Sequence, residues 1–142
     1  MKYQPLPNAY SIPVRVYYED TDAGGVVYYS NYLKYLERCR SDWMRQTGFG
    51  QSDIAQHSGI AFVVRSVQLE YLKPARLDDL LSVGLEVEKL GRAQIVFRQH
   101  VRRGNEELLT GTVQIVCIKA AGDPPTPTPI PEILRTQLET LQ

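Results

Sequence analysis

Tyr32, Leu36, Cys39 and Trp43 recur at intervals of four, three and four residues, the period of a helix with one apolar stripe. The pattern starts near residues 28–30 and ends near Gln46; Arg45 suits the last turn and Gly48 the position just past it. At about 1.5 Å per residue this helix is roughly 25 Å long. Before it, residues 13–19 (PVRVYYE) alternate and are rich in Val and Tyr, as in a strand. Four more strand patterns follow it. In residues 60–71, Val63, Val67, Leu69 and Tyr71 share a face that Arg65 interrupts. Leu81, Val83, Leu85 and Val87 alternate cleanly with polar residues. Ile95, Phe97 and Val101 mark the next strand, and Leu109, Val113, Ile115 and Cys117 the last. The links at Gly91 and Gly104–Asn105 are too short for parallel crossovers, so neighbouring strands are antiparallel. One amphipathic helix cannot cover both faces of a sheet. The expected architecture is therefore α+β, with a long helix on one face of a strongly curved antiparallel sheet of about five strands.

The 142 residues suit one domain with one core. We assign the core to residues 13–120 and a proline-rich tail with a short terminal helix to residues 121–142. Five prolines between Pro124 and Pro131 keep that stretch out of the sheet centre. Sixteen basic residues balance sixteen acidic ones, which argues against a nucleic-acid partner; a phosphate-bearing ligand would need a few local cations. Cys39 and Cys117 sit in apolar patterns and read as reduced core thiols. His57 and His100 are isolated, no C-x-x-C occurs, and no metal site is expected. The first twelve residues lack the layout of a secretory signal, and no apolar run approaches the roughly 18 residues that span a bilayer. A cytoplasmic protein without stable membrane insertion is expected.

Residues 19–32 (EDTDAGGVVYYSNY) place carboxylates at a strand end, then two glycines, then a helix start. A helix N-terminus presents unpaired N–H groups and partial positive charge, a setting for a carbonyl oxygen becoming an oxyanion. Gly24 and Gly25 allow close backbone approach to a ligand. An aspartate there can act as base or nucleophile. The same residues also make ordinary turns and caps.

The run VYYEDTDAGGVVYYSNYLKYLER, residues 16–38, resembles the signature of the hotdog-fold acyl-CoA thioesterases. The nearest likeness is to the 4-hydroxybenzoyl-CoA thioesterase group, and within it to the YbgC-like thioesterases associated with the Tol-Pal system. It continues through Phe62–Arg65, Glu70–Tyr71, Lys73–Asp79 and Val116–Cys117. The resemblance implies a thioester hydrolase acting on acyl-CoA without a cofactor. It also implies a homo-oligomer, dimer or tetramer, with sites between subunits, and acyl carrier protein as a further possible partner.

Asp22 matches the family's catalytic carboxylate, as nucleophile or general base. Asp20, two residues earlier, would share its face in an extended strand and is read mainly as a structural acceptor. Tyr29 stands where YbgC-like enzymes typically carry His and the 4-hydroxybenzoyl enzymes Tyr. A tyrosine, with a reference pKa near 10, is a poor base, so Tyr29 is assigned as an oxyanion donor through its backbone N–H. Val27, Tyr28 and Tyr32 are candidates for the acyl site or the core. Phe62, Val63 and Val64 are candidates for substrate contact from the facing subunit. Lys89 and Arg92, flanking Gly91, resemble the cations that meet CoA phosphates. The acyl group is expected to be short-chain or aromatic. The alternative function is a non-catalytic module that binds acyl-CoA or acyl carrier protein and is linked to the Tol-Pal envelope system. Hydratase chemistry lacks a suitable His, and no G-x-S-x-G supports a serine hydrolase.

Overall fold

A computed structural model describes residues 9–48, 59–120 and 124–142. The chain runs β1 (Tyr10–Arg15), a 3₁₀ turn (Tyr18–Asp20), α1 (Asn31–Gln46), β2 (Ile60–Tyr71), β3 (Leu80–Leu90), β4 (Gln94–Arg103), β5 (Glu106–Lys119), β6 (Thr126–Pro127) and α2 (Glu132–Glu139). Five strands lie in the order β1-β3-β4-β5-β2, and β6 pairs with the end of β5. Every pairing is antiparallel.

Register explains the core. Val83, Val101 and Leu109 align across β3, β4 and β5, as do Val87, Phe97 and Val113. Directly opposed residues share a face, so these rows make a continuous apolar floor, and all six are buried. α1 lies on it with Tyr32, Leu36, Cys39 and Trp43 buried. Two polar contacts fix its seat. Cys39 Sγ donates to the Val83 carbonyl at 3.3 Å, and Gln99 Nε2 donates to the Leu36 carbonyl at 3.1 Å. Burial pushes the Cys39 thiol up to about 12 and the Cys117 thiol up to about 11, so both stay protonated in the core.

The structure departs from the sequence expectation in three places. The first strand covers residues 10–15, not 13–19. Tyr17 and Tyr18 favour strand by composition, yet the Asp20 carboxylate accepts the Tyr17 N–H at 2.9 Å and bends the chain into a 3₁₀ turn. Asp20 and Asp22 therefore do not share a strand face. β2 carries a bulge between Val64 and Ser66, so Arg65 is the point where the alternation resets. Residues 124–142 contribute to the core: Ile130, Leu134, Leu138 and Leu141 are buried. The Leu141 carbonyl accepts the Val87 N–H at 2.9 Å, beside a bulge in β3.

Candidate active site

The segment between the 3₁₀ turn and α1 folds back on itself. Thr21 bridges Val27, and the Asp22 N–H donates to the Val26 carbonyl at 2.9 Å. Gly25 closes the turn by donating to the Asp22 carbonyl at 3.1 Å with φ of 78°, a left-handed conformation that favours glycine. The Asp22 carboxylate is exposed, and its Oδ1 accepts the Gly24 N–H at 2.8 Å. That bond orients the side chain while leaving it open to a ligand.

The returning arm is anchored from beneath. Val26 bridges Arg76, and the Val27 N–H donates to the Ala75 carbonyl at 2.9 Å. Residues 73–79 are in turn held by Arg103. Its guanidinium contacts Asp79 Oδ2 and Glu106 Oε1, each at 2.6 Å, and Lys73 reaches Glu106 at 3.0 Å. The Asp20 carbonyl accepts both the Tyr28 N–H at 3.0 Å and Asn31 Nδ2 at 2.8 Å, which ties the 3₁₀ turn to the start of α1. Burial, and after it the neighbouring Asp20 carboxylate, pushes the Tyr35 hydroxyl well above its ordinary range. Asp20 thus organises the loop.

Ser30 precedes α1 without a side-chain cap. Among the described residues the Tyr29 N–H has no hydrogen-bond partner. An exposed carboxylate and an unpaired N–H at a helix entry therefore lie on one folded-back loop. Tyr28 and Tyr29 are exposed and stack with ring centroids 4.7 Å apart. Val27 and Tyr32 are buried, and the Tyr32 hydroxyl accepts the Ala75 N–H at 3.0 Å. Tyr71 joins the site with a role that its strand pattern did not signal. Its hydroxyl donates to the Tyr29 carbonyl at 3.1 Å, and its ring meets Tyr32 edge-on at 5.6 Å. Burial, then the Tyr29 phenol, raises its pKa, so it remains a donor across the neutral range.

Other candidates lie elsewhere in the subunit. Tyr71 ends β2 beside Tyr29, whereas Phe62, Val63 and Val64 sit near the other end of that strand, roughly 25–30 Å away along it. Lys89, at the far end of β3 from Asp79, and Arg92, in the turn that follows it, lie a comparable distance away. Both are exposed and form no ion pair among the described residues. Exposed Arg76 is the cation next to the Asp22 loop. His57 lies outside the described residues. His100 is buried on β4 and pushed down to about 4, first by burial and then by Arg102, so it is neutral at physiological pH. No cluster of His, Cys, Asp and Glu able to hold a metal occurs among the described residues, nor any helix long and apolar enough to cross a membrane.

One long helix packs on an antiparallel sheet, and the loop leading into that helix carries an exposed carboxylate. Residues 24–110 match the model of the Thioesterase superfamily, and the chain belongs to that family. It is 44% identical over 113 residues to the Haemophilus influenzae protein named acyl-CoA thioesterase YbgC, a match spanning 80% of this chain and 83% of the relative. It is 43% identical over 107 residues to the Escherichia coli acyl-CoA thioester hydrolase YbgC, spanning 75% and 79%. A crystal structure from Bartonella henselae, described as a probable thioesterase, superposes with a TM-score of 0.79 at 34% identity, covering 87% of this chain and 99% of that one. The fold is the hotdog fold, and the chain is a thioester hydrolase.

Proposed function

We propose that this protein hydrolyses a short-chain or aromatic acyl-CoA to the free acid and CoA. The observation that carries the reading is the pairing of an oriented, exposed Asp22 carboxylate with an unpaired Tyr29 N–H at the entry to α1. The N–H would stabilise the thioester oxygen as negative charge develops on it. Asp22 either attacks the carbonyl carbon, expelling the CoA thiolate and leaving a mixed anhydride for water to cleave, or takes the proton from an attacking water. Both routes consume one water and release one acid and one thiol. Exposed Tyr28 would form the outer wall of the acyl site.

The remaining candidates fit a site shared between subunits. The outer edge of β2 carries exposed Val63, Val64, Val67 and Tyr71. Two β2 edges paired antiparallel about Ser66 and Val67 would bring Phe62, Val63 and Val64 of the partner subunit to the Tyr71 end. The same operation would carry the Lys89 and Arg92 hairpin toward the neighbour's loop, where it could meet CoA phosphates. A homodimer or tetramer acting in the cytoplasm, with acyl-CoA or acyl carrier protein as donor, follows from this reading.

The test is CoA release from short, long and aromatic acyl-CoAs. Turnover of none of them, together with saturable binding, would favour the non-catalytic module linked to the Tol-Pal system. Arg92→Glu should raise KM about threefold at low salt, with the difference shrinking as salt rises. An unchanged KM removes Arg92 from the phosphate site. Tyr71→Phe keeps the ring against Tyr32 but loses the hydroxyl contact to the Tyr29 carbonyl. It should lower kcat about fivefold with little change in KM, as expected of a positioning residue. Equal kcat values would show that this contact does not position the helix entry.

A further inference from the structure

We propose that Arg103 is a positioning residue for thioester hydrolysis: its guanidinium fixes the 73–79 segment and, through it, the placement of the Asp22 loop. This role rests on the reading that Asp22 and the Tyr29 N–H act together. The guanidinium grips the segment near both ends. Nη1 donates to Asp79 Oδ2 at 2.6 Å and to the Pro74 carbonyl at 3.4 Å. Nε and Nη2 both donate to Glu106 Oε1, at 3.1 and 2.6 Å, and Glu106 Oε2 accepts from Lys73 Nζ at 3.0 Å. Directly or through Glu106, one side chain of β4 holds residues 73, 74 and 79 together.

Between those grips lies the edge that carries the loop. Arg76 bridges Val26, Thr21 bridges Val27, and the Asp22 N–H bonds to Val26. Opposed residues share a face, so Asp22, Val26 and Arg76 form one row across three short segments, roughly 10 Å wide. Burial agrees: Val27 and Ala75 are buried on the inner side, and Asp22 and Arg76 are exposed on the outer. A shift of the 75–76 edge is therefore passed to Asp22. The Tyr29 carbonyl is fixed from elsewhere, by the Tyr71 hydroxyl at the end of β2. The spacing between carboxylate and N–H thus depends on where the 73–79 segment stands.

Two features show that the segment is held under constraint. Asp78, with φ of 69°, is the only non-glycine residue in left-handed backbone among the described residues. Such a conformation persists where its surroundings over-determine it: Arg15 Nη1 donates to the Asp78 carbonyl at 2.7 Å, and the Asp78 N–H donates to the Val16 carbonyl at 3.0 Å. Asp79 Oδ2, which takes the Arg103 bond, also accepts the Arg76 N–H at 2.8 Å. One carboxylate oxygen therefore links the guanidinium to the residue that pairs with Val26. The network lies at the rim, with Arg103, Asp79 and Glu106 half-buried and Lys73 exposed, outside the apolar floor under α1.

The test compares full-length wild type with Arg103→Lys, Asp79→Asn and the double variant. Lysine keeps the charge but cannot span Asp79, Pro74 and Glu106 together. With benzoyl-CoA and butyryl-CoA as probes, each single variant should lower kcat about tenfold and leave KM within about twofold. The double variant should fall no more than about twofold below either single, because both remove the same contact. Amide exchange needs no substrate: in Arg103→Lys the Val27 N–H, bonded to Ala75, should exchange about tenfold faster, while Phe97 and Val113 exchange as in wild type. Unchanged kcat and Val27 exchange, losses that multiply in the double variant, a loss carried by KM alone, or faster exchange at Phe97 and Val113 as well would overturn the assignment. Should Arg103→Lys fold poorly, Glu106→Gln carries the test, with kcat about twofold to threefold lower expected and unchanged kcat and exchange overturning it. Near-wild-type turnover by Asp22→Asn would remove the reading beneath this role, whereas an inactive Asp22→Asn beside an unimpaired Arg103→Lys would remove the role of Arg103 alone.

Discussion

Asp22→Asn is expected to lower kcat for acyl-CoA hydrolysis by about a thousandfold, within the range that a positioned acid–base group contributes. Asn is nearly isosteric and keeps an oxygen to accept the Gly24 N–H, the only side-chain bond Asp22 makes among the described residues. The loop ladder through the Asp22 N–H and carbonyl involves backbone alone and should persist. The side chain is exposed, so no buried charge is left unpaired. Thermal stability and oligomeric state should therefore match wild type while CoA release collapses. A variant with near-wild-type turnover would remove Asp22 from the chemistry. Asp20→Asn should act differently, because the Asp20 carboxylate serves the Tyr17 N–H, while its tie to the helix entry runs through the backbone carbonyl and persists.

The largest expected loss of stability is at Gly111. A Cβ added there would lie 2.6 Å from the Gln68 carbonyl oxygen and 2.4 Å from Leu69 Cδ2. The leucine methyl can rotate, but the carbonyl belongs to the β2–β5 ladder, where Leu69 opposes Gly111. Relief requires moving a strand. Overpacking of this kind costs about 2–3 kcal/mol, which for a chain of this size lowers Tm by roughly 8–12 °C. Gly84→Ala is the useful comparison. Its Cβ would meet the His100 ring at 2.4 Å, a side chain that can turn away, so a smaller loss is expected. Thermal melts followed by circular dichroism decide between them, and equal losses at both positions would show that the β2–β5 ladder is not the rigid element.

The elements that were legible in the sequence are those whose burial has a single cause. Tyr32, Leu36, Cys39 and Trp43, and likewise Leu81, Val83, Leu85 and Val87, face one surface, and their periods predict their buried positions. The Asp22 segment was recognisable because turn glycines, carboxylates and a helix start occur together. Competing local bonds hid other features. Asp20 captures the Tyr17 N–H and overrides the strand preference of two tyrosines. Gln99 lies on the apolar face of β4, fully buried, because it bonds to a helix carbonyl and to Arg40. No spacing rule reveals partners 63 and 59 residues away. Tyr71 is the same case: its hydroxyl finds Tyr29 across 42 residues. The Leu134 and Leu138 spacing marks a helix, but not that it would cover the sheet beside Phe97.

The two borders of the sheet are unequal, and that inequality would limit how far copies of the chain could add to one another. β2 offers twelve residues and an uncovered ladder. β1 at the opposite border has only six, and Pro13 among them lacks an N–H to donate. If two copies joined through β2, the pairing would be isologous and each partner would use up the other's long border. The strand left outermost on both sides would then be the short, proline-bearing β1. In such a pair a third copy would meet only that short border, not the long template that invites open-ended stacking.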